Sequence, residues 1–77
     1  IMIVEVITPD KVLFSGEAIS VRLPGSGGSF EALANHAPLI SSLDKGTVVV
    51  RTDSGEETFN VSGGIVEVLN NKVVVLA

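Results

Sequence analysis

A chain of 77 residues has room for one small core, and with no cysteine it must hold that core without disulfides, a thiolate metal site or a thiol nucleophile. The formal charge of −4, with only Lys11, Arg22, Lys45, Arg51 and Lys72 positive, excludes the basic patch that a run of phosphates requires, so nucleic acid is not an expected partner. Hydrophobic residues make up 45% of the chain and the mean hydropathy is +0.53, yet no apolar run approaches the ~20 residues of a membrane-crossing helix.

The surplus of apolar residues predicts surface that a partner covers. No basic stretch and apolar segment with a small-residue cleavage site opens the chain, so the cytoplasm is the expected compartment.

Turn signals begin at Pro9-Asp10 and recur at Ser15-Gly16, Pro24-Gly25, Asp44-Lys45-Gly46, Asp53-Ser54-Gly55, Gly63-Gly64 and Asn70-Asn71, too closely spaced for helices. Between them lie runs rich in Val and Ile, which predict strands over 2–8, 11–14, 17–23, 39–43, 47–52, 56–62, 65–69 and 72–76. In 17–23, period-two alternation puts Ile19, Val21 and Leu23 on a core face and Ala18, Ser20 and Arg22 toward water. In 56–62, Glu57, Phe59 and Val61 alternate with Thr58, Asn60 and Ser62 in the same way. No window of ten residues has the apolar spacing of an amphipathic helix.

The chain is therefore read as all-β and single-domain, an antiparallel sandwich of two packed sheets, since a parallel sheet would need helical crossovers. The non-periodic stretch 24–38, with Gly25, Gly27 and Gly28 at a flexible tip before Phe30 and Leu33, is where a functional loop is expected.

Little chemistry can be assembled from these residues. His36 is the one histidine, so a catalytic triad or a His-rich zinc site has no second member, and a packing or interface role is the simpler reading. Pro24-Gly25-Ser26-Gly27-Gly28-Ser29 lacks the Lys-Ser/Thr ending of a phosphate-binding loop, and neither Ser26 nor Ser29 sits in a nucleophile elbow. Asp53, Glu56 and Glu57 lack the spacing of a calcium loop. Asn60-Val61-Ser62 matches a glycosylation acceptor but falls inside a predicted strand. No catalytic, metal-binding or cofactor-binding residue is expected.

Four segments, in order along the chain, carry a resemblance. They are Val6-Ile7-Thr8-Pro9-Asp10-Lys11-Val12-Leu13-Phe14-Ser15-Gly16-Glu17, then His36-Ala37-Pro38-Leu39, then Val61-Ser62-Gly63-Gly64-Ile65-Val66-Glu67-Val68, and last Asn71-Lys72-Val73-Val74-Val75-Leu76-Ala77. Together they resemble the N-terminal β-sandwich of the epsilon subunits of bacterial F-type ATP synthases. The resemblance implies a ten-stranded sandwich of two five-stranded sheets. It further implies a non-catalytic rotor part that binds the gamma subunit and the c-ring at the cytoplasmic face of the plasma membrane and couples proton transport to ATP synthesis.

By the same resemblance, Thr8, Pro9, Asp10 and Lys11, together with His36, Pro38 and Leu39, are the expected gamma-facing residues. Ser29 and Phe30 are the expected c-ring-facing ones. Pro38 and Leu39 also read as residues that close the end of a sandwich, with Pro38 holding Ala37 extended.

The chain departs from the family pattern at Glu31, Ala34 and Asn35, where glycine, proline and glycine are common, and at Ser29, where an acid is usual. Asn35 retains access to the left-handed conformation that glycine would supply. The family also continues into an inhibitory helical hairpin, whereas these residues end at Ala77: a naturally short protein is expected to have no hairpin-based inhibition, and a fragment to have had it cut away, with the sequence compatible with both. The absence of a starting Met suggests an N-terminus other than the one synthesised.

Two other readings fit less well. A sugar- or peptide-binding β-sandwich would need exposed aromatics or an open strand edge, and the aromatics are only Phe14, Phe30 and Phe59. An enzyme would be left with carboxylates and no recognisable acid/base pair. Uncovered partner surfaces predict self-association of the isolated domain, through an apolar face or a free strand edge.

Overall fold

Val and Ile are stiff at χ1 and pack well on a pleated surface, and here they form strands wherever turn residues leave their runs intact. The computed structural model describes residues Ile1–Ala77 and has nine strands and no helix. These are β1 (Met2–Ile7), β2 (Val12–Ala18), β3 (Ser20–Leu23), β4 (Phe30–Leu33), β5 (Leu39–Leu43), β6 (Gly46–Thr52), β7 (Gly55–Val61), β8 (Gly64–Leu69) and β9 (Lys72–Leu76). They build a five-stranded sheet in the order β2-β1-β9-β8-β5 and a four-stranded sheet in the order β4-β3-β6-β7.

Inward-facing residues of both sheets meet in a core dominated by valine. Val4, Val6, Val66, Val73 and Val75 come from the five-stranded sheet and Val21, Leu23, Val48 and Val50 from the other, all fully buried. Phe14 on β2 and Phe59 on β7 meet with ring centroids 6.1 Å apart, a tilted contact between the two sheets. Asn70 and Asn71 have φ of 51° and 61° and join β8 to β9 as a two-residue hairpin, the geometry that matches strand twist.

The all-β sandwich is as the sequence predicts, but the strands number nine, with five in one sheet and four in the other. Segment 24–38 is not wholly a loop, because Phe30–Leu33 forms β4 and pairs along all of β3. The neighbouring Gly25 makes only an isolated bridge to Leu43. Pro24 beside it has no N–H with which to extend a ladder.

Ser15-Gly16 is no turn either. Both residues pair in register with Glu5 and Val4, so strand pairing overrides their turn preference and β2 continues to Ala18. The break falls at Ile19, where the chain leaves β1 and joins the other sheet through its amide, which donates to the Arg51 carbonyl at 2.7 Å. The crossing also costs the alternation its phase. Ile19 is half exposed and Ser20 is buried, the reverse of the sequence reading.

The pairing is not antiparallel throughout, since β1 and β9 run parallel from Ile3 opposite Lys72 to Ile7 opposite Leu76. A parallel pair needs a long crossover, and the rest of the chain supplies it. One consequence is that the last strand, β9, occupies the centre of the five-stranded sheet.

Candidate protein interface

The two sheets turn very different outer faces to solvent. Alternation along each strand fixes which residues point outward. On the four-stranded sheet, Arg22 lies opposite Glu31, Arg51 opposite Glu56 and Thr47 opposite Asn60, so charged and polar side chains dominate that face, with Val49 and the exposed Leu33 its apolar exceptions. Thr47 Oγ1 donates to Asn60 Oδ1 at 3.1 Å across it.

The five-stranded sheet instead presents Ile7, Leu76 and Ile65 in one row of facing residues, Val74, Glu67 and Ile40 in the next, and Leu69 beside Lys72 beyond them. Ile40 is 70% exposed, Leu76 51%, and Ile65 and Leu69 46% each. Glu5, Glu67 and Lys72 interrupt the apolar surface near its middle, Ser42 on β5 and Ser15 and Glu17 on β2 lie toward its edges, and Lys72 Nζ stands 3.6 Å from Glu5 Oε1. An exposed pair of this kind contributes at most about 1 kcal/mol. A contiguous apolar face on a small domain marks an interaction surface.

The expected gamma-facing residues fall at the ends of that face, whereas Ser29 and Phe30 lie at the start of β4 in the other sheet. Thr8, Pro9, Asp10 and Lys11 form the turn from β1 to β2. The Thr8 hydroxyl accepts from the Lys11 amide at 3.1 Å and the Asp10 amide at 3.3 Å, and donates to the Lys11 carbonyl. The turn is thereby held from within. Ile7, Thr8 and Pro9 border a shallow depression shared with Leu76 and Ala77.

His36, Pro38 and Leu39 belong to the connection from β4 to β5. The strand β5 runs antiparallel to β8, which runs antiparallel to β9, itself parallel to β1. The start of β5 therefore lies at the opposite end of the sheet from Thr8. The two expected gamma-facing segments are not brought together, and the apolar face stretches between them.

Leu39 stands opposite the buried Val68 and packs against the core. Its neighbour Ile40 is the residue that faces out, and with exposed Pro38 and Leu69 it lines a second depression. Ser29 is exposed, whereas Phe30 is half-buried against the core, its ring centroid 6.4 Å from that of His36. The Gly-rich tip before them is tied down. Ser26 N–H donates to Ser42 O at 3.0 Å, and the Ser26 hydroxyl donates to Asp44 Oδ1 at 3.2 Å.

Ile40, Ile65, Leu69, Val74 and Leu76 escaped the reading of the sequence for function. Their signal was that 65–69 and 72–76 carry apolar residues at both odd and even positions, which one core-facing side does not require. No three His, Asp or Glu side chains converge as metal ligands would.

The fold and surface define a small two-sheet β-sandwich with one largely polar and one more apolar outer face. The chain belongs to the family described as the β-sandwich domain of the ATP synthase Delta/Epsilon chain, whose model matches residues 1–77. It is 44% identical over 73 residues to the ATP synthase epsilon chain of Chlorobaculum tepidum, covering 94% of this chain and 83% of that one. It is 48% identical over 75 residues to the epsilon chain of Bordetella petrii, where it covers 96% of this chain and 53% of that one. The chain thus spans most of the first relative and about half the length of the second.

Among solved structures, a chain of the Euglena gracilis mitochondrial ATP synthase superposes with a TM-score of 0.91 at 20% identity, over 99% of this chain and 49% of that chain. A chain from the central stalk and c-ring of the Tetrahymena thermophila enzyme gives 0.83 at 18% identity, over 97% of this chain and 61% of that chain. At such identities these two likenesses speak for the fold.

Proposed function

We propose that this domain is a non-catalytic rotor module of an F-type ATP synthase, binding the gamma subunit through the outer face of its five-stranded sheet. In this role it sits peripherally at the cytoplasmic face of the bacterial plasma membrane and helps couple proton transport to ATP synthesis. The observation that carries the reading is the asymmetry of the two outer faces in a chain of the epsilon family. Ile40, Ile65, Leu69 and Leu76 give one side an apolar surface of four exposed large side chains, where the charged side has only Leu33.

His36 and Pro38 flank one end of the proposed gamma surface, and Thr8, Pro9, Asp10 and Lys11 the other. Leu39 supports the first end from the core side. Ser29, at the tip before β4, and Phe30, which anchors that tip, form the proposed c-ring contact. No cofactor enters this role.

The test is co-purification of the chain with the gamma subunit of its own organism, comparing wild type with His36→Asp. Retention of the wild type and loss of the variant is the expected result. A folded wild-type domain that gamma does not retain would leave the family membership standing and remove the proposed interface.

A further inference from the structure

The connection between β4 and β5 is an exposed segment, and apart from its own turn onto the end of β4, hydrogen bonds reach it at one residue only. The His36 amide donates to the carbonyl of Leu33, the last residue of β4, at 3.1 Å, closing a turn in which Asn35 is left-handed at φ 65°. Beyond that bond to the end of β4, the only hydrogen bonds that tie residues 34–38 to another element come from the side chain of Asn71. Its Oδ1 accepts from the Asn35 backbone N–H, and its Nδ2 donates to Asn35 Oδ1 at 3.2 Å.

Asn71 is well placed for this task. It sits in the hairpin between β8 and β9, and its own carbonyl accepts from the Ile3 amide at 2.9 Å. A residue held by three strands thus reaches across 36 positions of sequence to grip a connection that has no other tie beyond its own turn. Beyond the grip come His36, whose ring lies against Phe30, and Pro38, which opens onto the apolar face beside Leu69.

We propose that Asn71 is a positioning residue for partner binding: its amide holds the His36-Ala37-Pro38 segment in the shape that the partner recognises. This rests on the reading that the segment meets the gamma subunit. An ordered loop binds more tightly than a mobile one because its ordering cost is met before association.

The experiment uses Asn71→Gly, which keeps the left-handed backbone of the hairpin and removes only the amide, alongside Asn35→Gly and the double variant. Gamma-subunit affinity, urea stability and hydrogen exchange of the Asn35 amide are measured on each. Exchange at Asn35 is expected to accelerate in Asn71→Gly, with gamma affinity falling about tenfold while the fold persists. The double variant is expected to bind about as weakly as Asn71→Gly alone, since the two residues act as one unit.

Unchanged affinity in Asn71→Gly, with the wild type binding gamma, overturns the proposal, as does a fall in stability alone. Unchanged exchange at Asn35 overturns the clamp itself without reference to any partner. Failure of the wild type to bind gamma removes the underlying reading, and with it the role in binding.

Discussion

Val6 and Val75 lie directly opposite each other in the parallel pair of β1 and β9, and both are fully buried. The first and last strands are therefore neighbours at the middle of the five-stranded sheet. Completion of that sheet depends on residues at the very end of the chain described here.

Val75→Asp places an uncompensated charge among Val66, Val6 and the facing sheet. The expected loss exceeds about 3 kcal/mol, a large share of the stability of so small a domain. Urea unfolding followed by far-ultraviolet circular dichroism measures it, and a shift under about 1 kcal/mol would contradict the central position of β9.

Gly64 carries φ of 128°, and a β-carbon added there would collide with the Leu76 carbonyl oxygen and lie 3.0 Å from the Ala77 α-carbon. Gly64→Ala combines an unfavourable backbone with backbone overlap, neither of which a rotamer change relieves. The expected cost is about 2 kcal/mol or more. Gly27→Ala, where a β-carbon meets nothing within 4 Å, serves as the control in the same urea series and is expected to change little.

The Thr8 hydroxyl is a partner to three groups of the turn from β1 to β2, and Thr8→Ala removes all of them while leaving the Thr8 N–H bond to the Lys11 carbonyl. A loss of about 1 kcal/mol is expected. Faster amide exchange confined to Asp10 and Lys11 would locate the effect in the turn.

The apolar face predicts self-association of the isolated domain at high concentration. Ile40 faces Glu67 and Leu69 faces Lys72, so Ile40→Lys and Leu69→Asp each place a charge opposite its complement and leave stability within about 0.5 kcal/mol. Sedimentation equilibrium is expected to show concentration-dependent mass for the wild type and a monomer for the double variant.

Much of the fold was legible because valine-rich runs ended at strong turn residues. Asn70-Asn71 falls at the β8–β9 hairpin and Gly63-Gly64 where the chain crosses from β7 to the other sheet, and their positive φ values explain why those residues stand there. The strand Phe30–Leu33 was not legible, since Phe-Glu-Ala-Leu after a glycine-rich tip has weak strand propensity and is fixed by its partner β3. Nor does local sequence encode the pairing of Ile3 with Lys72, which depends on how the two sheets close.

For the candidate interface, the motif resemblance named His36, Pro38 and Leu39 and passed over Ile40, the residue of β5 that faces out. The run Leu39-Ile40-Ser41-Ser42-Leu43 has apolar residues in both phases, and only the register with Val68 and Glu67 shows which of the first two faces the core. Asn71 was read as a turn residue. Its contact with Asn35 arises from the tertiary fold alone.

The central claim is that the five-stranded sheet, and not the charged one, meets the gamma subunit. Titration calorimetry against that subunit, comparing wild type, Ile40→Lys with Leu69→Asp, and Thr58→Lys on the opposite face, tests it most directly. The account predicts that the apolar-face variant loses about thirtyfold or more in affinity while Thr58→Lys binds as the wild type does. Equal affinity for the apolar-face variant, or loss in Thr58→Lys instead, would contradict it.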